Sequence, residues 1–211
     1  MLTNRAHSGG IEEVETNQVA ELQSLCDLVY EEIIRVKRYL EPLIELGEVA
    51  RDYPDEVHKY GELALLLRDA LLDSTITSIA RLIDSRRQAR TLLKLFNRIE
   101  RWYDLAEREA ILSWLRTDRE AVLEHPIALK IKRWRHEIVS HSTESREDAA
   151  FYSANRMKYT DMLRFVEWVE RDILEKYTAR LFDTPTYYSG AGAISYRGVH
   201  DLRMMFEALS K

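Results

Sequence analysis

The chain has 211 residues, of which 45% are hydrophobic and 32% are charged, and its formal net charge is −5. This length is enough to bury one sizeable core in one or at most two domains. Seven glycines and four prolines are few turn formers for such a chain, which argues against a sandwich, a barrel or a doubly wound sheet. Because the net charge is negative, any contact with nucleic acid must depend on a local basic patch.

The cysteine count and the lengths of the apolar runs indicate the cellular compartment. The single cysteine, Cys26, excludes an internal disulfide and gives no zinc-finger pattern. The N-terminus is polar, and no run approaches the roughly 18 apolar residues that a membrane span needs. We therefore expect a protein of the reducing cytoplasm without membrane contact, and nothing in the sequence indicates a cofactor.

Apolar residues recur at three- and four-residue steps from about Ile11, which predicts a long amphipathic helix. Pro42 is expected to kink this helix or to begin a new turn. A second helix is predicted from about Glu56 to Asp84, and its stretch from Leu63 to Leu72 is apolar almost all round, which favours a central position in a bundle. The inward positions of the first helix are Leu22, Leu25, Cys26, Val29, Ile33, Val36, Leu40, Leu43 and Leu46.

Shorter helices are predicted for the middle of the chain. A basic helix is expected near Arg87 to Asn97 and another from about Trp102 to Arg116. Asp118 is a candidate cap for the next helix, which is expected to end near His141, where cap and turn formers follow. A long helix is then predicted from about Ala149 to Phe182.

These elements define the predicted organisation of the chain. Residues 1–10 are expected to be a flexible leader, and residues 11–182 a single helical bundle of four to six main helices. Residues 183–211 are expected to form a C-terminal loop followed by a short helix, Val199 to Leu209. The predicted fold class is therefore all-α.

The stretch RWRHEIVSHS, residues 133–142, concentrates the groups that carry chemistry. His136 and His141 are five residues apart, so on a helix their side chains are separated by roughly 140° and do not share a face. A metalloprotease helix spaces its two histidines four apart, and no Cys or Asp stands beside this pair. The spacing therefore predicts no metal site.

Arginine and histidine together suit phosphodiester chemistry. Histidine exchanges protons near neutral pH, and arginine presents a planar fork of donors that fits phosphate oxygens. RNA carries its own nucleophile, the 2′-hydroxyl, so this pair can do much of the work without a metal. Arg135 and His141 are six apart and lie on different faces of an unbroken helix. They converge if the helix ends before His141, or if two subunits meet across a twofold axis.

A structural interpretation of the same residues stays open. Arg135 could form a surface ion pair, and His141 could cap a helix end. Three basic residues precede Arg135, namely Lys130, Lys132 and Arg133. They form either a solvated face or a local patch that binds phosphate groups, which the negative net charge of the chain does not favour. The candidate partners of Arg135 in a surface ion pair are Glu137, Glu144 and Asp148.

Residues 135–142, RHEIVSHS, resemble the R-x4–6-H signature of the HEPN superfamily (higher eukaryote and prokaryote nucleotide-binding domains). His136 matches the polar residue that follows the arginine, and His141 matches the final histidine. The upstream segment LLLRDALLDSTITSIARLID, residues 65–84, resembles the abortive-infection U subfamily, in which a helix ending in R-L-x-D precedes the motif. The residues that match this ending are Arg81, Leu82 and Asp84.

Many HEPN domains are metal-independent ribonucleases that act as dimers in bacterial defence, toxin–antitoxin and abortive-infection systems. The resemblance implies that Arg135 contacts the scissile phosphate, that His141 is the general base or acid, and that His136 supports them. It also implies a polar side chain from the preceding helix, for which Asp84 and Ser78 are the candidates. Toxins silenced by a nucleotidyltransferase often carry a tyrosine two positions after the final histidine, where this chain has Thr143. The resemblance therefore does not extend to control by modification of that tyrosine.

The leading hypothesis is a metal-independent endoribonuclease of a toxin–antitoxin or phage-defence system, with a HEPN-like fold. Its expected partners are RNA, a second copy of the chain and an antitoxin protein. The residues expected to contact the RNA are Lys130, Lys132 and Arg133. The alternative is a non-catalytic HEPN-fold protein that binds a nucleotide, RNA or a partner protein.

Overall fold

A computed structural model describes residues 8–84, 91–102, 108–139, 149–182 and 192–209. Every regular element in these ranges is helical, and they contain no β-strand. The predicted all-α fold class is therefore confirmed. Among the same residues, no helix has both the length and the apolar character that crossing a membrane requires.

The longest element is helix α1, Ser8–Asp52. Pro42 lies inside this helix, so it begins no new helix at that point. All nine of the positions that periodicity predicts to face inward are buried. Helix α1 thus lines the main core from Leu22 to Leu43.

The helix predicted from Glu56 to Asp84 is two helices, α2 (Pro54–Lys59) and α3 (Gly61–Leu82). The expectation that its leucine-rich half is central is wrong. Leu63 is 60% exposed and Leu66 is 69% exposed, and the buried residues of α3 begin only at Thr75. A helix that is apolar on all sides has no preferred face, so its burial depends on which neighbouring helices contact it. The main body of the bundle covers only the second half of α3.

Helices α1 and α3 run in opposite directions. Val49, near the end of α1, clusters with Leu67 from the first half of α3. Arg35, further back in α1, lines the same groove as Arg81, near the end of α3. The C-terminal end of α3 is therefore level with the middle of α1.

Three helices follow, α4 (Leu92–Trp102), α5 (Arg108–Glu124) and α6 (Pro126–Trp134). Asp118 lies inside α5 and caps nothing, contrary to prediction. Its carboxylate instead accepts hydrogen bonds from the Tyr177 hydroxyl at 2.6 Å and from Lys176 Nζ at 2.5 Å. A tertiary contact thus explains an aspartate that local sequence rules assign to a helix start.

The helix predicted from Ala149 to Phe182 is interrupted. It consists of α7 (Ala149–Ala154), α8 (Tyr159–Trp168), a π-helical segment (Val169–Leu174) and α9 (Glu175–Phe182). The π-helical segment is tied to the middle of α1 by an ion pair between Lys37 Nζ and a Glu170 carboxylate oxygen, 2.5 Å apart. Both side chains are nearly buried, with 13% and 10% exposure.

The last helix, α10 (Gly192–Leu209), begins earlier than the predicted Val199. It packs against the C-terminal part of α1, where Phe206 joins Leu46 and Val49 in a small second core. Arg203 Nε donates to Glu45 Oε1 of α1 at 2.6 Å. Most of the predicted leader, residues 1–7, and the first part of the predicted tail, residues 183–191, lie outside the described residues.

Candidate functional site

The segment that carries the motif is a π-helical turn. Residues Arg135–Val139 continue helix α6 with this wider winding. A π turn closes hydrogen bonds five residues apart, changes the rotation of the side chains that follow, and is frequent at functional sites. Just before it, the indole Nε1 of Trp134 donates to the carbonyl of Asn155 at 3.0 Å, which anchors the start of the segment to the end of α7.

The central contact of the site joins this turn to the end of α3. Arg135 Nη1 lies 3.2 Å from Asp84 Oδ2, across 51 positions of sequence. Asp84 follows the last turn of α3, where its backbone N–H donates to the carbonyl of Arg81 at 3.3 Å. The Asp84 side chain is 12% exposed and that of Arg135 is 30% exposed, so the pair sits at the edge of the core with part of the guanidinium open to solvent.

The structure describes one of the two histidines of the motif, His136. The His136 side chain is 71% exposed, and its Nε2 lies 3.9 Å from Glu137 Oε1, an ion pair only when the imidazole is protonated. His141 lies outside the described residues, as do Glu144 and Asp148.

The basic run divides into two parts. Lys130 Nζ donates to the carbonyl of Arg156 at 2.8 Å, so this lysine helps to hold the connection between α7 and α8. Lys132 and Arg133 are exposed. Lys132 stands three residues before Arg135 and is therefore its neighbour on the helix surface.

Ser78, the second candidate from α3, is buried and lines a groove of about 270 Å³ between α1 and α3. Arg81, on the α3 wall, has a sequence signal only as the arginine of the R-L-x-D ending, and Arg35, on the opposite wall, has none. The other lining residues are Tyr39, Asp73, Ser74 and Thr77. A second cavity, of about 410 Å³, lies beside Trp134 and is bounded by Leu72, Arg156 and Tyr159 among others.

One histidine outside the motif has a clear structural role. His125 is the N-cap of α6, and its Nδ1 accepts the backbone N–H of Ile127 at 3.2 Å. The ring packs against Phe165, with 4.5 Å between ring centroids. Burial lowers the pKa of His125 below its usual 6.5, which favours the neutral imidazole that the cap requires. The proline directly after it, at the first helical position, is the sequence signal that marks this start.

The described residues contain no group of three or more His, Cys, Asp and Glu side chains that could hold a metal ion. The candidate site is cationic because of its arginine and lysine side chains. It combines a partly exposed arginine, a supporting carboxylate, an exposed histidine and two exposed basic residues on one helical segment.

The class of protein follows from comparison with known families, because a HEPN family model matches residues 20–201. That model is described as AbiU2, and its match covers most of the chain, so the protein belongs to the AbiU2 family of HEPN domains. The matched range includes both Asp84 and the whole segment from Arg135 to Ser142. No curated protein and no solved structure matches the chain.

Proposed function

We propose that this protein is a metal-independent endoribonuclease of an abortive-infection or toxin–antitoxin system in the bacterial cytoplasm. In this proposal Arg135 binds the scissile phosphate, His141 is the general base or acid, and His136 supports them. The observation that carries it is the contact between Arg135 and Asp84, which fixes a partly exposed guanidinium on a π-helical turn.

The chemistry uses the nucleophile that RNA contains. The 2′-oxygen loses its proton to a general base and attacks the phosphorus atom, and the bond from phosphorus to the 5′-oxygen breaks. The leaving 5′-oxygen takes up a proton, and the products are a 2′,3′-cyclic phosphate and a free 5′-hydroxyl. The guanidinium of Arg135 supplies fixed positive charge where negative charge develops on the phosphate oxygens.

Asp84 acts in this proposal as a positioning residue. Its contact engages Nη1 of Arg135, and a guanidinium has five N–H donors in a planar fork. Donors therefore remain for phosphate oxygens while the carboxylate restricts the side chain to one orientation. Such pre-organisation matters because a misplacement of about 1 Å can cost about a hundredfold in rate.

Lys132 and Arg133 complete the proposed RNA contact, because both are exposed on the helix that leads to the π turn. Lys130 is part of the same proposed RNA-binding surface, but its Nζ already donates a hydrogen bond to the carbonyl of Arg156. The proposal includes a homodimer in which the two motifs meet across the twofold axis, and an antitoxin protein as a further partner. The His136 side chain is 71% exposed, and the proposal places it at the surface that faces the second subunit and the RNA.

A second candidate is a HEPN-fold module that binds RNA, a nucleotide or a partner protein without cutting RNA. The same ion pair favours it, because Asp84 offsets the charge of Arg135 at 3.2 Å. If this carboxylate keeps the guanidinium neutralised in the complex, the site binds a ligand but stabilises little transition-state charge.

Cleavage of RNA in the presence of EDTA tests the proposal. We expect the native protein to release fragments with 2′,3′-cyclic phosphate ends. Loss of a general acid or base costs about 10²–10⁴ in rate, which is the reduction expected for His141→Ala. For Arg135→Ala we expect about 10²–10³, as for the loss of one donor to a developing oxyanion.

A matched control is Arg164→Ala, because the Arg164 side chain is 78% exposed and, among the described residues, pairs with Asp161 on the same helix, α8. We expect it to cut like the native chain. Equal cleavage by all four proteins would mean a contaminating nuclease. Intact RNA after incubation with a folded native protein that binds it would reject the ribonuclease in favour of the binding module.

A further inference from the structure

The groove between α1 and α3 is a polar cavity with no assigned role. Its volume is about 270 Å³, and its walls are two helices packed in opposite directions. That volume lies just below the range of sites for drug-sized ligands, so it accommodates one small group. The groove holds three hydroxyl side chains from successive turns of α3, those of Ser74, Thr77 and Ser78.

The two ends of the groove carry opposite charge. Arg35 and Arg81 occupy the end that lies towards Asp84, while Asp73 and Tyr39 occupy the other. At 1.5 Å per residue, Asp73 and Arg81 are about 12 Å apart along the axis of α3. The groove is thus a polar channel with a cationic end and an acidic end.

The cationic end is next to Asp84, the residue that pairs with Arg135. Arg81 lies in the last turn of α3, three residues before Asp84, and its carbonyl accepts the Asp84 backbone N–H. Arg35 pairs with Glu32 of the same helix, with 2.7 Å between Nη1 and Oε2, so part of its donor fork is already engaged. Arg81 is exposed and forms no ion pair with another described residue. Arg81 is therefore the cation of this groove that is open to a ligand.

We propose that this groove is a nucleotide subsite, which holds the residue of the RNA strand next to the scissile phosphate. The proposal rests on the ribonuclease function, because the strand must pass Arg135 to reach it. Arg81 binds the flanking phosphate through its donor fork. The carboxylate of Asp73 accepts hydrogen bonds from hydroxyl groups of the ribose and repels a backbone that offers none, so the subsite prefers RNA to DNA.

Binding of a short, labelled single-stranded oligoribonucleotide to the His141→Ala protein measures the subsite, with the length of the RNA checked on a gel after each titration. Adding Arg81→Gln removes one charge-assisted contact, and we expect about tenfold weaker binding. The slope of log affinity against log salt is expected to fall by about 0.7, the value for one phosphate of a single strand. Arg164→Gln, on α8, is the matched control and is expected to change neither quantity.

The acidic end is tested by comparing RNA with DNA of the same sequence. Asp73→Asn removes the charge and keeps the size of the side chain, so we expect DNA to bind more tightly and the preference for RNA to shrink. A purely structural role for Asp73 would weaken both ligands equally. An unchanged ratio of the two affinities would overturn the ribose assignment.

The outcomes separate the subsite from the nuclease. If adding Arg81→Gln leaves the affinity of the His141→Ala protein unchanged, or if adding Arg164→Gln costs as much affinity as Arg81→Gln, the subsite is wrong even when the native protein cuts RNA. If the native protein cuts nothing but Arg81→Gln shows the predicted loss and the smaller salt slope, the groove binds RNA, and both the nuclease and the place of the subsite beside a scissile phosphate are overturned. A native chain that does not bind the oligoribonucleotide overturns the subsite directly.

Discussion

Arg135 and Asp84 are 51 residues apart in sequence, yet Arg135 Nη1 lies 3.2 Å from Asp84 Oδ2. The contact connects the π-helical turn to the end of α3, and it brings the two segments that carry the resemblance to HEPN domains into one place. Its geometry makes the orientation of Arg135 depend on Asp84.

Asp84→Asn tests this dependence. The amide keeps the shape and an acceptor oxygen but loses the charge, so Arg135 becomes less restricted. We expect the cleavage rate of bound RNA, kcat, to fall about tenfold with little change in KM, because positioning acts on the reacting geometry. The free energy of unfolding is expected to change by at most about 1 kcal/mol, as for a partly exposed pair.

Asp161→Asn is the matched control for this substitution. It also removes the acid of an arginine–aspartate pair, with 3.3 Å between Arg164 Nη1 and Asp161 Oδ1, but that pair is exposed on α8. We expect native kcat from this variant. Equal losses from both substitutions would show that Asp84 has no special relation to Arg135.

The exposed basic residues Lys132 and Arg133 give a prediction for RNA binding. Replacing both by glutamine is expected to lower the salt slope of binding by about 1.4, since each phosphate of a single strand contributes about 0.7. The measurement is a titration of labelled RNA at several salt concentrations. A Lys158→Gln, Arg164→Gln double variant, exposed around the start of α8, serves as the control. A slope that stays at the native value would place the RNA elsewhere.

The ion pair between Lys37 and Glu170 gives a prediction for stability. Both side chains are nearly buried, so Lys37→Met leaves an unpaired carboxylate away from water. We expect this to cost about 3–5 kcal/mol of the free energy of unfolding, measured in urea. Changing both residues to methionine is expected to restore most of that loss, because no charge then remains buried. A double variant as unstable as the single one would mean that packing, and not the charge, is what matters.

His125 gives a prediction for pH dependence. Its pKa in the folded protein is below the usual 6.5 because burial disfavours the imidazolium. The unfolded chain therefore binds more protons, and the contribution of His125 is complete above about pH 6.5 and is lost as the pH falls from there through the folded pKa. We expect Tm to drop in the native protein as the pH is lowered below about 6.5, and to drop less in His125→Asn, whose side chain also caps a helix.

His58→Asn is the control for this measurement, because His58 is exposed on the short helix α2. We expect it to keep the native dependence of Tm on pH. An identical loss of Tm at low pH in native, His58→Asn and His125→Asn proteins would assign the acid sensitivity to other groups.

The sequence predicts much of the fold because most helices bury one face. The apolar positions of α1 repeat at helical spacing, and all the predicted ones are buried. Where helical spacing is absent, prediction fails. Leu63 and Leu66 lie in a stretch that is apolar on every side, and both are exposed because the main core does not extend to the first half of α3.

The candidate site is predictable only in part, for a related reason. The residue types around Arg135 indicate phosphate chemistry, and the R-L-x-D ending makes Asp84 a candidate polar partner. Neither pattern gives the contact between the two side chains across the bundle. Asp118 shows the same limit. The sequence predicts that it caps a helix, but its carboxylate accepts hydrogen bonds from Lys176 and Tyr177. Contacts between distant segments depend on packing, and the spacing of residues along one segment does not encode them.

Helix α1 also determines how the protein behaves in solution. Its 45 residues extend about 68 Å at 1.5 Å per residue. A compact chain of 211 residues has a radius of gyration of about 17 Å, equivalent to a sphere about 43 Å across. The monomer is therefore elongated, diffuses more slowly than a sphere of 24.8 kDa and elutes early from a gel-filtration column. An early peak is thus expected from a single chain, and subunit number is read from light scattering or sedimentation equilibrium, which report mass independently of shape.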